Sequence, residues 1–345
     1  MSSFAQLPDD KRRAAVEEGA ARLGVLPVIV EKDYWVCWLL GRIFQDAELA
    51  RNIVFKGGTT LSKVFSVIDR FSEDIDLSVS PKILGFTEST LDNESSKGKR
   101  AMLFESLQIA CAKFVAGRFQ PQLEKTVREL LGARAESHAW FVYREDARTH
   151  SPVLLFEYPS SLPPERGYIE PAVKLEFGSL TDQQPTGTHA VKPMLADVIP
   201  AFKDETEQVV ALEVERTFWE KATILHAEYH RPAERPIPDR FSRHYSDFAA
   251  LWRHSARDAA LKRLDLLGQV AIFKSRFFAS GWAHYETAKP GTLKLSPSAG
   301  REAELQRDYA KMDPMFLKSP PPFAEVLKAL GEAQREINAE STGRT

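Results

Sequence analysis

The sequence is poor in cysteine, has little net charge and contains no long apolar run. Its two cysteines, Cys37 and Cys111, are far apart and form no CxxC or Cys/His cluster, so we predict two reduced, buried thiols. The formal net charge of −2 gives no global attraction to nucleic acid, and a polyanionic partner would need a local basic patch. The apolar runs are shorter than a membrane span and the N-terminus lacks a signal-peptide pattern, so we expect a cytoplasmic protein with no membrane partner.

What the sequence does have is the composition of an ordinary globular protein, with 43% hydrophobic and 27% charged residues over 345 positions. That length predicts about two domains. Helical periodicity at both ends encloses a stretch of short strands, so we predict a mixed α+β fold. The predicted parts are N-terminal helices in 1–48, a sheet domain in 49–182, and a connector followed by a helical C-terminal domain in 183–345.

The first pattern that carries chemistry is a glycine turn. An apolar strand at 53–55 runs into Gly57 and Gly58, and a helix predicted from Thr59 carries apolar residues as far as Ile68. Glycines let the backbone approach an anion closely, and the free N–H groups at the start of the helix point at it. Thr59 can donate a hydroxyl or cap the helix. The pattern predicts a binding site for a triphosphate, although a simple turn followed by a helix cap would have the same sequence pattern.

The second pattern is a pair of aspartates, Asp74 and Asp76, on a strand predicted at 74–80. Two residues apart on a strand, the carboxylates project from one face with about 6–7 Å between Cα atoms. They repel each other unless a cation lies between them, and oxygen ligands of this kind suit Mg²⁺. A solvated acidic strand face is the alternative. The 14 residues between Thr59 and Asp74 favour the metal site, because a helix there can bring the chain back to the glycine turn.

Taken together, the glycine turn, the helix and the Asp-x-Asp strand resemble the polymerase-β-like nucleotidyltransferases. The segments KGGTTL (56–61), RFSEDIDL (70–77) and VEKDYWV (30–36) are more narrowly similar to the AbiEii family, the toxins of type IV abortive-infection toxin–antitoxin systems. The resemblance covers most of 25–255. It implies a nucleotidyltransferase sheet domain flanked by helices and Mg²⁺-dependent transfer of a nucleoside monophosphate from an NTP. It also implies an RNA acceptor such as the tRNA 3′ end, and a cognate antitoxin encoded by a neighbouring gene.

The resemblance also assigns roles to residues. Asp74 and Asp76 would bind Mg²⁺, and Glu176 of VKLEFG would be a third carboxylate or the catalytic base. The implied nucleotide-binding residues are Gly57, Gly58, Thr59, Lys174, Lys221, Arg243 and Asp247.

Each of these supporting positions also has a plainer interpretation. Lys174 and Glu176 share a strand face and would form a surface ion pair, and Arg243 with Asp247 would form an i,i+4 salt bridge. Lys221 lies in the apolar stripe of a helix predicted at 213–229, where a lysine needs an anion or must reach solvent. The histidines at 226, 230 and 244 have no convincing metal spacing and are predicted on helix surfaces.

Two other functions fit the same residues. The chain could be a nucleotidyltransferase that modifies a small molecule or a protein hydroxyl, or a regulator that binds a nucleotide without transferring it. Two retained carboxylates argue against the regulator, because binding alone does not need both.

Overall fold

A computed structural model of the chain describes residues 4–87, 96–132, 139–147, 149–163, 170–179, 182–278 and 280–339. The chain folds into two compact units. The first consists of Met1–Val64 and Ser72–Leu212, and the second of Phe65–Phe71 and Glu213–Thr345. A short segment between the glycine turn and the aspartate pair therefore belongs to the second unit. A sheet with flanking helices in the first unit and helices in the second confirm the mixed α+β prediction.

In its described residues the first unit contains one seven-stranded mixed sheet with the strand order β3-β4-β5-β2-β1-β7-β6. The strands are β1 (Ile53–Lys56), β2 (Ile75–Val79), β3 (Phe141–Glu145), β4 (Pro152–Phe156), β5 (Val173–Gly178), β6 (Thr186–Val191) and β7 (Glu207–Leu212). The two strands that carry the sequence patterns, β1 and β2, are antiparallel neighbours near the middle, and β2 pairs in parallel with β5.

The helices of the first unit are α1 (Asp9–Leu23), α2 (Pro27–Gln45), α3 (Ala47–Ala50), α4 (Gly58–Lys63), α5 (Lys97–Phe114), α6 (Gln120–Leu131) and α7 (Leu195–Val198). A π-helical stretch at Val115–Phe119 joins α5 to α6. A 3₁₀ turn at Pro200–Phe202 precedes β7.

Helix α2 lies in the core of the first unit. It is apolar on most sides, as a helix buried all round should be, and it contacts α1 and β7. Trp35 stacks on Tyr158 and Trp38 on Phe156. Cys37 on this helix and Cys111 on α5 are buried and free, which confirms the prediction for both thiols. Burial raises the pKa of Cys111 to about 12, so its thiol stays protonated.

Two predictions in this unit are wrong. The helix after the glycine turn ends at Lys63 and does not continue to Ile68, because Ser66 has a left-handed backbone (φ 52°) that stops it. The connector predicted at the start of 183–345 instead contains β6, α7 and β7, and the first unit extends to Leu212. Short edge elements rich in Thr and Pro give too little apolar periodicity to be recognised.

The second unit is helical in its described residues. Its helices are α8 (Val214–Tyr229), α9 (Ser242–Arg253), α10 (Ala256–Leu261), α11 (Leu264–Phe277), α12 (Glu302–Ala310) and α13 (Phe323–Ala339), with 3₁₀ turns at Tyr285–Thr287 and Asp313–Met315. Among the described residues, no helix has the length and apolarity needed to cross a membrane.

His226 is buried in this unit, so its predicted place on a helix surface is wrong. The reason is that α8 contacts α9, α10 and α11, which leaves little of its surface exposed. The Nδ1 atom accepts the Lys294 N–H at 3.0 Å, and Nε2 donates to the His284 carbonyl at 3.0 Å. Burial, with a smaller contribution from the nearby His230, lowers the pKa of His226 to about 4, against the opposing effect of its hydrogen bond to the His284 carbonyl. The imidazole is therefore neutral in the folded protein.

This neutral histidine predicts acid destabilisation of the second unit. Between pH 6.5 and about 4 the unfolded chain protonates His226 and the folded chain does not, so stability falls as the pH falls through this window. The full effect of a neutral buried imidazole corresponds to about 3 kcal/mol. Hydrogen exchange of α8 amides at several pH values measures it. His226→Gln is the control and should flatten this pH slope; the same slope in both proteins would contradict the prediction.

Candidate active site

The glycine turn connects β1 to α4 and lies against an aspartate. Gly57 has φ +87°, a conformation that side chains other than glycine rarely adopt. A Cβ atom placed on Gly57 would lie 2.0 Å from Oδ2 of Asp76. Glycine is therefore required twice at this position, by the backbone and by the neighbouring carboxylate. The two sequence patterns, which are separate in the chain, meet at this contact.

The threonines after the turn use their hydroxyls inside the protein. Thr59 is buried, and its Oγ1 donates to the Asp74 carbonyl at 2.5 Å and lies 2.9 Å from Oγ of Ser72. The Oγ1 of Thr60 donates to the Gly57 carbonyl at 2.7 Å. Gly57, and not Thr59, occupies the N-cap of α4. Thr59 thus ties α4 to the segment before β2, and its backbone N–H is the group left for a phosphate.

The aspartates lie at the start of β2 and not both within it. Asp74 precedes the strand, and Asp76 is paired in register with Lys56 on β1 and with Glu176 on β5. Burial and, to a smaller extent, the negative charges of Asp76 and Glu176 together raise the pKa of Asp74 to about 6, against an opposing effect of Lys174. The site therefore concentrates negative charge around Asp74.

Two of these carboxylates fit a magnesium ion. Asp74 and Asp76 provide hard oxygen ligands beside the glycine turn, and Mg²⁺ commonly takes only one or two carboxylates, with water and phosphate oxygens completing its shell. Within the described ranges, no three His, Cys, Asp or Glu side chains are arranged to hold a metal. The carboxylate of Glu176 is paired with Lys174, as the plainer interpretation of these two residues predicted. The donor set thus suits an ion that shares its ligands with substrate.

The remaining predicted residues lie in the second unit, where Lys221 has an unpredicted partner. The sequence predicted that this lysine needs an anion or must reach solvent. The anion is Asp247: Nζ of the buried Lys221 donates to Oδ2 of Asp247 at 2.8 Å and lies 3.2 Å from Nδ1 of His244. Burial lowers the pKa of Lys221, with Arg70 and Arg243 adding to the effect against the pull of Asp247.

Asp247 is the centre of this charged cluster. Its two oxygens accept from Nε and Nη2 of Arg70, both at 2.8 Å, and both residues are buried. Burial would raise the pKa of Asp247, but Arg70 and Lys221 hold it well below its usual range. The pair also lines a cavity of about 300 Å³ in the second unit. The predicted i,i+4 partner of Asp247, Arg243, is thus replaced by Arg70.

Arg70 is a residue that the sequence analysis did not single out. It appeared only as the first letter of RFSEDIDL, and its partner Asp247 is 177 positions away. No local pattern could have indicated this pair. A lysine on the apolar stripe of α8 was the only available signal that this region buries charge.

Residues 38–329, well over half of the chain, match the family described as nucleotidyl transferase AbiEii toxin, type IV toxin–antitoxin system. The chain belongs to the AbiEii family. The resemblance of the sequence motifs is confirmed, and the protein is a nucleotidyltransferase of a toxin family, which implies an NTP substrate and an antitoxin partner.

Solved structures that match this AbiEii protein include MenT4, a nucleotidyltransferase toxin from Mycobacterium tuberculosis H37Rv. The sequence identity is 15% and the TM-score 0.42, over 94% of this chain and 99% of that one. No curated protein matches the sequence.

The contact between Gly57 and Asp76 predicts that Gly57→Ala abolishes nucleotidyl transfer. The added methyl group must displace the Asp76 carboxylate, one of the two that would hold the ion. Gly85→Ala is a matched control, because Gly85 has the same φ of +87° and open space around it. Both substitutions should cost about 1–3 kcal/mol of stability through backbone strain. Equal activity of the two variants would show that the contact does not matter for transfer.

The charged cluster predicts that Asp247→Asn strongly destabilises the second unit. Removing the carboxylate leaves Arg70 and Lys221 buried without a counter-charge, which typically costs about 3–5 kcal/mol. Urea denaturation measures the loss. Asp239→Asn is the control, since that side chain is 93% exposed and should change stability by less than about 0.5 kcal/mol. Wild-type stability of Asp247→Asn would mean that the cluster is not structural.

Proposed function

We propose that this AbiEii protein transfers a nucleoside monophosphate from an NTP to a hydroxyl group of RNA, in a Mg²⁺-dependent reaction, with the tRNA 3′ end as acceptor. The observation that carries the proposal is the contact of the Gly57 turn with Asp76. It brings a backbone suited to phosphates within reach of a carboxylate pair suited to Mg²⁺. A protein that only bound a nucleotide would not need two aspartates at that turn.

In this proposal the acceptor oxygen attacks the α-phosphorus, the bond to the leaving pyrophosphate breaks, and the acceptor proton passes to a base. Gly57, Gly58 and the Thr59 N–H approach the phosphates, and Asp74 with Asp76 would hold the ion. Bound Mg²⁺ would neutralise phosphate charge and orient the reacting oxygens. Positioning and electrostatics supply most of the rate increase in such reactions.

Lys174 and Glu176 take linked roles in the proposal. Glu176 lies opposite Asp76 in the strand register, and is proposed to accept the proton of the attacking hydroxyl or to serve as a third carboxylate. Its partner Lys174 is only partly buried, so it is placed to exchange Glu176 for a phosphate when the NTP binds. Nucleotide binding by Lys221, Arg243 and Asp247 stays a prediction, and the side chains of Lys221 and Asp247 are already paired with each other.

A labelling experiment tests the acceptor and the metal. Purified protein is incubated with each α-labelled NTP in turn, with separate RNA, protein and small-molecule fractions, with Mg²⁺ or with EDTA. We expect label in RNA only, and none in EDTA. Label in another fraction would replace RNA by a small-molecule or protein acceptor. Metal-independent nucleotide binding with no transfer to any fraction would support the regulator instead.

The carboxylate pair predicts that Asp74→Asn and Asp76→Asn each lower transfer by at least about 100-fold while the fold is retained. Each change removes one of the two charges that would hold the ion. Circular dichroism and thermal unfolding check the fold, and Asp69→Asn is the control. Asp69 comes five positions before Asp74 in the sequence, and its exposed side chain pairs with Lys318, so its loss should leave transfer unchanged. Full activity of either site variant would rule out the metal assignment.

A further inference from the structure

Three consecutive charged residues lie in the second turn of the buried helix α2. Glu31, Lys32 and Asp33 are between 0% and 4% exposed and belong to the first unit with all their partners described below. A buried charge costs several kcal/mol unless it is paired, and well-packed apolar residues often stabilise a core at least as well. Stability alone therefore does not account for three such residues in a row, and their partners indicate what they do.

Asp33 binds the end of the helix that follows the glycine turn. Its Oδ1 forms an ion pair with Nζ of Lys63, the last residue of α4, and its Oδ2 accepts the Met194 N–H at 2.6 Å. Burial would lower the pKa of Lys63, but Asp33 more than offsets this and the net shift is upward. The lysine is therefore charged, and it fixes the C-terminal end of α4 to α2.

Lys32 binds the residue next to the aspartate pair. Its Nζ lies 2.7 Å from Oε2 of Glu73 and donates to the Glu170 carbonyl at 3.0 Å. Glu73 immediately precedes Asp74 in the chain. The position of this carboxylate therefore determines where the chain enters the metal site. Glu73 is also 21% exposed, so without Lys32 its side chain could turn towards solvent.

The ion pairs of Asp33 with Lys63 and of Lys32 with Glu73 bind the chain just before and just after residues 65–71, the segment that belongs to the second unit. Residues 65–71 belong to the second unit, Lys63 comes two positions before that segment, and Glu73 comes two positions after it. Consecutive residues of one helix are about 3.8 Å apart and fixed in direction. A single dipeptide thus sets the distance between α4 and the start of β2, and the Thr59 bond to the Asp74 carbonyl closes the arrangement.

We propose that Lys32 and Asp33 are positioning residues for nucleotidyl transfer. They fix the position of the glycine turn relative to the aspartate pair, although residues 65–71, which separate the two in the chain, belong to the second unit. Neither positioning residue touches the reacting atoms. They act through Lys63 and Glu73 on the backbone that carries the phosphate-binding turn and the metal ligands. A displacement of about 1 Å in such a site can lower the rate by about 100-fold.

The neighbouring Glu31 provides a matched control. It is buried on the same helix, and like Asp33 it accepts a backbone N–H, here from Ser161 at 2.7 Å, together with the hydroxyls of Ser160 and Ser161. Its partners carry no predicted site residue. Glu31→Gln and Asp33→Asn are thus the same chemical change at adjacent buried positions, and only the second removes a link to the glycine-turn helix.

The experiment compares Glu31→Gln, Asp33→Asn, Lys32→Met and Lys32→Arg in the full-length protein. All four should lower the melting temperature. We expect kcat to fall 10- to 100-fold in Asp33→Asn and Lys32→Met, with the KM for NTP changed less than about threefold. Kcat should stay within about twofold of wild type in Glu31→Gln and recover substantially in Lys32→Arg. Equal loss of kcat in Glu31→Gln and Asp33→Asn, or no loss in Asp33→Asn, would overturn the proposal.

A double-mutant cycle tests whether Asp33 and Lys63 affect kcat through their mutual ion pair. Lys63→Met combined with Asp33→Asn should lower kcat little more than either change alone, because one link is lost in every case. Additive losses would contradict the proposed pairing.

The inference rests on transfer from an NTP and not on RNA as the acceptor, so kcat is measured on whichever fraction the wild type labels. Hydrogen exchange provides a readout that does not depend on activity. Peptides covering 57–63 and 72–79 should exchange faster in Asp33→Asn than in Glu31→Gln. Equal exchange rates of these peptides in the two variants would contradict the positioning role. Absence of label in RNA would contradict only the proposed acceptor.

Discussion

The antiparallel pairing of β1 with β2 is the constraint on which the site depends. It places Lys56 opposite Asp76, so the residue after Lys56 meets the aspartate side chain directly. Side chains alternate between the faces of a strand, and a slip of one residue would turn Asp76 away and bring an apolar neighbour to the turn. The apolar residues of β2, such as Ile75 and Leu77, are fully buried and therefore fix this register. Packing of these apolar residues in the core thus determines the position of Asp76 relative to the glycine turn.

Paired burial of charge is the second organising feature, and it occurs separately in each unit. In the first unit, Glu31, Lys32 and Asp33 of α2 bind three different segments of the chain, and Arg42 further along the same helix pairs with Glu207. In the second, Asp247 gathers Arg70 and Lys221. Breaking such a pair leaves a buried charge uncompensated, whereas keeping it adds little net stability. Clusters of this kind therefore fix the relative positions of the segments that they join, because only one arrangement of the backbone pairs all the charges at once.

Much of the site could be predicted from the sequence, because its signals are local. A glycine pair between a strand and a helix, an Asp-x-Asp alternation, and the Lys174 and Glu176 face of β5 each lie within a few residues. The end of α4 at Lys63 and the pairing of Arg70 with Asp247 could not be predicted in the same way. Both depend on a segment that changes unit, and helical periodicity through Phe65 and Ile68 gives no sign of that change.

The role of the three adjacent charges of α2 could be predicted only in part from the sequence. The segment Glu31-Lys32-Asp33 was visible in the sequence, but only as part of a family resemblance. A helix with this much apolar surface should be buried on all sides, so its charges must find partners inside the protein. The partners of Lys32 and Asp33 flank the segment 65–71, which separates the glycine turn from the aspartates in the chain, whereas Glu31 binds Ser160 and Ser161. A discontinuous unit has to hold its two chain ends at a fixed distance, and adjacent opposite charges on one rigid helix meet that requirement with two contacts.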